Sequence, residues 1–425
     1  MKRRTFLRGM LGSGLTVIGS SVFRTPLIST ASASVNPTLV VIFQRGGCDG
    51  LNAVVPFADP DYHSLRPTIG IAEPDPADPE SALDLDGFFG LHPGLMPFKA
   101  IYDTGDMAIL PTVQYPNSSH SHFSGQKYIE SGEPDTPVDA SDGWLNRHLR
   151  STLFNNQLLS PLQAVHFGSR LSHALSGEIP VQSFSFIDSF NLGLNSNEQA
   201  TLINSVQPVY RDIPSPASDY RQLVHRFGQI LFDNLATISN IDTGSYVPAN
   251  GAMYPNGSYG RRLRETAQLI KENVGLELVT IDIGGWDTHS NQGGGASDGR
   301  QARRFREFSS GIAALYTDLG AMMDNVVILT MTEFGRTAKE NGSNGTDHGD
   351  ASSWFVIGPN INGGIYGQWP GLSSQDLDRG RYLRYTVDYR NIMGDILTGH
   401  FKHPGSDLDT LLPGHQFTSL NLIQS

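Results

Sequence analysis

The sequence predicts an α/β fold with a largely parallel central sheet and helices on both faces, and three observations carry that prediction. First, continuous apolar runs rich in β-branched residues recur along the chain: TLVVIFQ (38–44), MAILPTV (107–113), LELVTIDIGG (276–285), NVVILTMTEFG (325–335) and SSWFVIGP (352–359). Runs that stay apolar at successive positions belong to strands covered on both faces. Second, segments with helical spacing lie between them. The clearest is 298–323, where Phe305, Phe308, Ile312, Leu315, Leu319 and Met322 form one apolar stripe. Third, no internal repeat or linker interrupts the pattern, so residues 34–425 read as a single domain.

The elements follow in order. After the strand at 38–44 comes a glycine-rich turn, RGGCDGLNAVVP. EPDPADPES (73–81) is a polar loop, and HPGLMPFKAIYDTG (92–105) has helical spacing. SSHSHFSGQKYIESG (118–132) reads as a short helix that starts on serines and stops at Gly132. Residues 161–215 alternate short strand-like runs with loops, and a peripheral section is expected near 155–260. Helices are expected at 219–238 and 259–275, the second ended by Gly275, with a loop rich in Gly, Pro, Asn and Tyr at 245–260.

The first 33 residues have the layout of an export signal. Arg3-Arg4 precede Phe6 and Leu7, a weakly apolar stretch covers 10–23, and Ala31-Ser32-Ala33 supplies small residues for cleavage. The arginine pair points to the Tat route, so the Tat machinery is an expected partner and the periplasm or exterior the expected location. The apolar run is too short and glycine-rich for a stable membrane span.

The formal charge is −12, and removing residues 1–33 deletes five cations and no acid, taking it to −17. An acidic body excludes binding of nucleic acid through broad phosphate contact. The single cysteine, Cys48, rules out an intrachain disulfide and reads as a small buried residue.

Ligands of open α/β sheets sit beyond the carboxyl ends of the strands. Asp49 follows the first strand. His120, Ser121 and His122 follow the second, Asp287 and His289 the third, and Glu333, Asp347 and His348 the fourth. Each has an ordinary alternative: Asp49 in a turn, His120 and His122 at a helix start, Asp287 in an Asx-turn, Glu333 paired with Arg336, Asp347 in a solvated turn. Four strands delivering carboxylate, imidazole or hydroxyl to one edge instead suggest a site for one or two divalent ions, Zn, Mn or similar. A metal there would activate a serine hydroxyl. Arg336 or Arg45 would meet anionic charge. The remaining histidines show no such grouping and read as packing or surface residues.

RGGCDGLN, SHSHFSGQ, GGWDTHSNQ and TEFGRT with GTDHG, behind a Tat-type signal, resemble the DUF1501 family of exported bacterial proteins. That resemblance implies the alkaline phosphatase-like fold, shared by phosphatases, sulfatases and phosphomutases. It implies a first metal place at Asp287, His289 and His348, and a second at Asp49 and Glu333. Phe334 stands where the second place would have a histidine. Two assignments stay open: His122 replaces that imidazole and Ser121 attacks, or the second place is lost. No C/S-x-P-x-R motif accompanies Cys48, which disfavours a sulfatase. The expected activity is metal-dependent hydrolysis of a phosphate or related ester, of a small molecule or a polymer. The alternative is a non-catalytic exported binding or structural protein on a hydrolase-like scaffold.

Overall fold

The computed structural model describes residues 36–134, 142–153, 162–194, 196–211, 219–295, 297 and 299–424. The expected export signal and its cleavage site lie outside them. Nine strands build the main sheet: β1 (Thr38–Gln44), β2 (Met107–Gln114), β3 (Ala164–Phe167), β4 (Gln182–Phe184), β5 (Leu278–Ile283), β6 (Val326–Met331), β7 (Ser352–Ile357), β8 (Gly364–Ile365) and β9 (Val387–Asp388). Across the sheet the order is β8-β2-β7-β6-β1-β5-β3-β4, with β9 also on β2. Strands β6, β1, β5, β3 and β4 are mutually parallel, while β7 runs antiparallel to both neighbours. The sheet is therefore α/β and mostly parallel. Two strands from the section expected at the periphery, β3 and β4, extend it at one edge.

The helices used below are α1 (Met96–Asp103), α2 (His122–Ser131), α3 (Trp144–Ser151), α4 (Ser196–Arg211), α5 (Asp219–Ser239), α6 (Ser258–Lys271), α7 (Arg300–Leu319) and α8 (Tyr389–Asp395). Both faces of the sheet are covered, which is why β1 reads as unbroken apolar sequence. Val40 and Ile42 point into one core with Phe98 of α1, Leu263 of α6 and Phe305, Phe308 and Ile312 of α7. Leu39, Val41 and Phe43 point into the other with Trp144 of α3 and Tyr389 and Ile392 of α8. No helix among the described residues is long and apolar enough to cross a membrane.

Helix α3 escapes the sequence pattern because it buries polar side chains. Asn146 donates to the carbonyls of Leu175 and Ile179 at 2.8 Å each, and Arg147 donates to Leu411 O at 2.9 Å. His148 is fully buried, with Nε2 2.7 Å from Glu277 Oε1 and Nδ1 2.8 Å from His403 Nε2. That contact joins α3, the start of β5 and the segment after α8. An apolar-periodicity reading does not register a face satisfied by hydrogen bonds.

The 118–132 segment is helical only from His122. His120 sits in the left-handed region at φ 51°, which ends any helical continuity before Ser121. Helix α7 carries the expected stripe as far as Leu319 and stops at Gly320, φ 52°, so Met322 falls in the 3-10 segment that follows.

Phe308 is fully buried between Phe98 and Trp286, with ring centroids 5.4 and 5.6 Å away. Phe308→Ala is expected to cost about 3–5 kcal/mol through the cavity it leaves. Urea unfolding followed by far-UV circular dichroism measures this.

Candidate metal centre

The carboxyl ends of β1, β5 and β6 are neighbours in the sheet, so the turns after them meet. They meet closely because the turn after β1 carries two glycines. A Cβ on Gly46 would stand 2.7 Å from the Asp287 backbone nitrogen. One on Gly47, whose φ is +72°, would stand 2.6 Å from the Phe334 ring. A side chain at either position would push the turns apart.

Arg336 ties the turns together. Its side chain is fully buried, and all three nitrogens donate within the protein. Nε donates to Gly47 O at 2.7 Å and Nη1 to Thr346 O at 3.1 Å. Nη2 reaches Gly46 O, Trp286 O at 3.1 Å and Asp287 Oδ1 at 2.6 Å. The expected role of meeting substrate charge is therefore corrected: the guanidinium is spent on positioning Asp287. Arg45 is likewise committed, to both oxygens of Glu130 at 3.0 and 2.8 Å and to Asp282 at 2.9 Å.

Around Asp287 stand three imidazoles. One ligand atom each from His122, Asp287 and His348 lie within 4.8 Å of one another. His122 Nε2 is 3.5 Å from Asp287 Oδ2, and His348 Nε2 is 3.3 Å from Oδ1. His289 Nε2 is 3.1 Å from both Asp287 Oδ1 and His348 Nε2. Each ring has its far nitrogen engaged by an acceptor. His122 Nδ1 faces Glu333 Oε1 at 2.8 Å, His348 Nδ1 faces His120 O at 2.8 Å, and His289 Nδ1 faces Asp347 Oδ1 at 3.2 Å. A carbonyl or carboxylate oxygen only accepts from an N–H, so a neutral ring with its proton on Nδ1 serves the far acceptor and turns the Nε2 lone pair inward, whereas the other tautomer turns an N–H toward Asp287. The left-handed backbone at His120 serves this, since its carbonyl is the acceptor for His348.

Burial and neighbouring charge shift the titration of this group. Burial pushes His348 below its ordinary value, against the bond to His120 O. The Glu333 hydrogen bond raises His122, against its own partial burial. Burial acts to raise Asp287, but the bond and charge of Arg336, with His289 and His348, outweigh it and hold the carboxyl at about 2. Phe334 packs between the rings, with centroids 5.0 Å from His122 and 4.7 Å from His348, and forms an apolar wall.

Three expected ligands occupy other roles. Asp49 does not face the group. Its buried carboxylate takes Arg66 Nη1 at 2.6 Å, Arg66 Nη2 at 3.0 Å and Gln292 Nε2 at 2.6 Å. A guanidinium supplies there the positive charge that a second ion would have supplied. Nothing in the sequence links position 49 to position 66, since both are polar positions in irregular segments. Glu333 is fully buried, and its Oε1 accepts from His122, from Gln126 Nε2 at 2.9 Å and from Gly46 N at 2.9 Å. It orients His122 from behind. Asp347 does the same for His289 and is itself held by Arg381 at 3.0 Å and Asn341 at 3.2 Å. Ser121 caps α2 by position, but its hydroxyl makes no capping bond. His120 pairs with Asp350 at 2.6 Å instead of joining the group.

Two expectations follow. Arg66→Met leaves the Asp49 charge buried without its cation, and urea unfolding should show a loss of about 3–5 kcal/mol. Asp287 has a folded value below its ordinary 3.8, so its contribution is present above about pH 4 and lost as pH falls through 2. In metal-free buffer, Asp287→Asn should flatten part of the fall in melting temperature between those limits.

The sequence matches the family model described as "Protein of unknown function (DUF1501)" over residues 109–412. No curated protein matches it. Among solved structures it is similar to the C-terminal periplasmic domain of EcEptC from Escherichia coli in complex with Zn, at 8% identity and TM-score 0.33, covering 76% of this chain and 73% of that one. It is similar to the phosphonate monoester hydrolase of Agrobacterium radiobacter at 10% identity and TM-score 0.32, covering 90% and 79%. A Bacteroides thetaiotaomicron protein of glycosaminoglycan metabolism, BT33494S-sulf, shows 12% identity and TM-score 0.39, covering 91% and 76%. At these scores the likenesses carry no argument about activity. The family match spans well over half of the sequence and includes the segments bearing His122, Asp287, His289, Glu333 and His348, and the chain belongs to the DUF1501 family.

Proposed function

We propose that this protein is an exported metal-dependent hydrolase of a phosphate or related ester, working with one divalent ion. The observation that carries the reading is the convergence of three imidazole Nε2 atoms on one carboxylate. His289 Nε2 and His348 Nε2 lie 3.1 Å apart, beside an Asp287 carboxylate that stays ionised. With their protons on Nδ1, these atoms repel unless a cation lies among them. Three imidazoles and one carboxylate are a donor set suited to Zn or Mn, and each imidazole has the outer acceptor that metal-bound histidines use. With Asp49 and Glu333 engaged elsewhere, the second ion considered from sequence has no donor set.

The ion, when bound, supplies Lewis-acid polarisation of an ester oxygen. The protein's own residues do the rest. Glu333 keeps the His122 proton on Nδ1, Arg336 keeps Asp287 ionised and aimed, and Phe334 keeps water from one side. Ser121, next to His122 at the start of α2, is the proposed nucleophile, since the Thr288 hydroxyl between Asp287 and His289 is donated to Gln292 Oε1 at 2.7 Å. The alternative, a non-catalytic binding protein, draws support from the commitment of both Arg336 and Arg45 to internal partners.

Elemental analysis after equilibration with Zn or Mn should find about one ion per mature chain. His348→Ala should lose it, and Glu333→Gln should weaken it about 10–100-fold. A wild type that retains no metal would overturn the proposal. With metal loaded, aryl phosphate and sulfate esters report activity. A rate that falls to background in Ser121→Ala assigns the attack to Ser121, whereas background rates in both proteins favour the binding role.

A further inference from the structure

Arg336 and Arg45 face inward, so the cation that meets a negatively charged substrate must come from elsewhere. A cavity of about 350 Å³ opens beside the candidate centre, lined by Gly285, Arg300, Arg303, Arg304 and Glu307. Arg300 Nη2 donates to the Asp287 carbonyl oxygen at 3.4 Å, so the cavity and the ligand group share one residue. Gly285 leaves room for the guanidinium of Arg304: a Cβ at this position, whose φ is +93°, would stand 2.9 Å from Nη2 and 3.0 Å from Nε.

The arginines are placed against the interest of stability. They occupy the first and second turns of α7, a 20-residue helix with no acid in its first turn. Cations at that end oppose the helix dipole, and neighbours three or four positions apart repel. Glu307 pairs with Arg304 at 2.6 Å. The whole chain is acidic, with a net −12, so three arginines at one cavity are a local reversal of sign. A local rule broken beside a candidate site points to function.

We propose that this cavity is an oxyanion subsite, taking a phosphate- or sulfate-type group carried by the substrate. Guanidinium groups gathered at one cavity match tetrahedral oxyanions through paired N–H donors. The inference deepens the hydrolase reading and rests on it for the word substrate, but the subsite itself needs no metal.

The test uses metal-free, full-length mature protein, titrated calorimetrically with inorganic phosphate and, separately, inorganic sulfate at constant ionic strength. Wild type should bind at least one of them, and the R303A/R304Q variant should bind about tenfold more weakly or worse. Which anion binds tells the two chemistries apart. The variant's far-UV circular dichroism and melting temperature check that it is folded, since it loses both charges that oppose the helix dipole and the Arg304–Glu307 pair. No binding by wild type, or equal binding by a folded variant, overturns the subsite. Anion binding in a protein that takes up no metal would leave the subsite standing and remove the hydrolase. Metal uptake and ester turnover without anion binding would do the reverse.

Discussion

One buried guanidinium organises the edge of the sheet where the candidate centre lies. Arg336 bonds to the turn after β1 through Gly46 and Gly47, to the turn after β5 through Trp286 and Asp287, and to the 346 loop through Thr346. A fully buried cation is tolerated only when its donors are satisfied and a counter-charge is near. Here four carbonyls and the Asp287 carboxylate meet that demand. The geometry that satisfies Arg336 is the same geometry that aims Asp287 at three imidazoles. Stability of the edge and arrangement of the centre are one constraint.

A second buried guanidinium shows how the edge divides its work. Arg66 bonds Asp49, Asn52 Oδ1 at 2.7 Å and the carbonyls of Ala338 and Thr337 at 2.9 Å each. It locks the turn after β1 from the side away from the histidines. The carboxylate of Asp49 is thereby structural, while the carboxylate of Asp287, whose side chain is 45% exposed, stays accessible. Exposure separates two aspartates that local sequence presents alike. Glu333 adds a third use of a carboxylate, buried behind an imidazole and lowered in pKa by the His122 and Gln126 bonds despite its burial.

The long buried strands were legible, because burial on both faces writes itself as unbroken apolar sequence at 38–44 and 326–331, whereas the two-residue strands β8 and β9 were too short to leave a pattern. So was the grouping of Asp287, His289 and His348 at strand ends, since polar, proton-active residues after buried strands have few structural reasons to be there. Helix α3 was not legible, because Asn146, Arg147 and His148 fill its buried face with hydrogen-bonded polar atoms. The row of arginines in α7 was visible as composition but carried no sign, because periodicity counts only its apolar stripe.

By itself, then, the sequence determined the fold class, the strand ends and the identity of the donors that gather there. Those follow from hydrophobic periodicity and residue chemistry, which are local properties. Tertiary structure decided which donor faces which. Asp49 met Arg66, Glu333 went behind His122, His122 crossed from the β2 side to join Asp287, and Arg336 turned inward. Such pairings depend on the separation and direction of side chains from 17 to 211 positions apart, and partner choice among charged groups is set by distance and burial, which only the packed molecule defines.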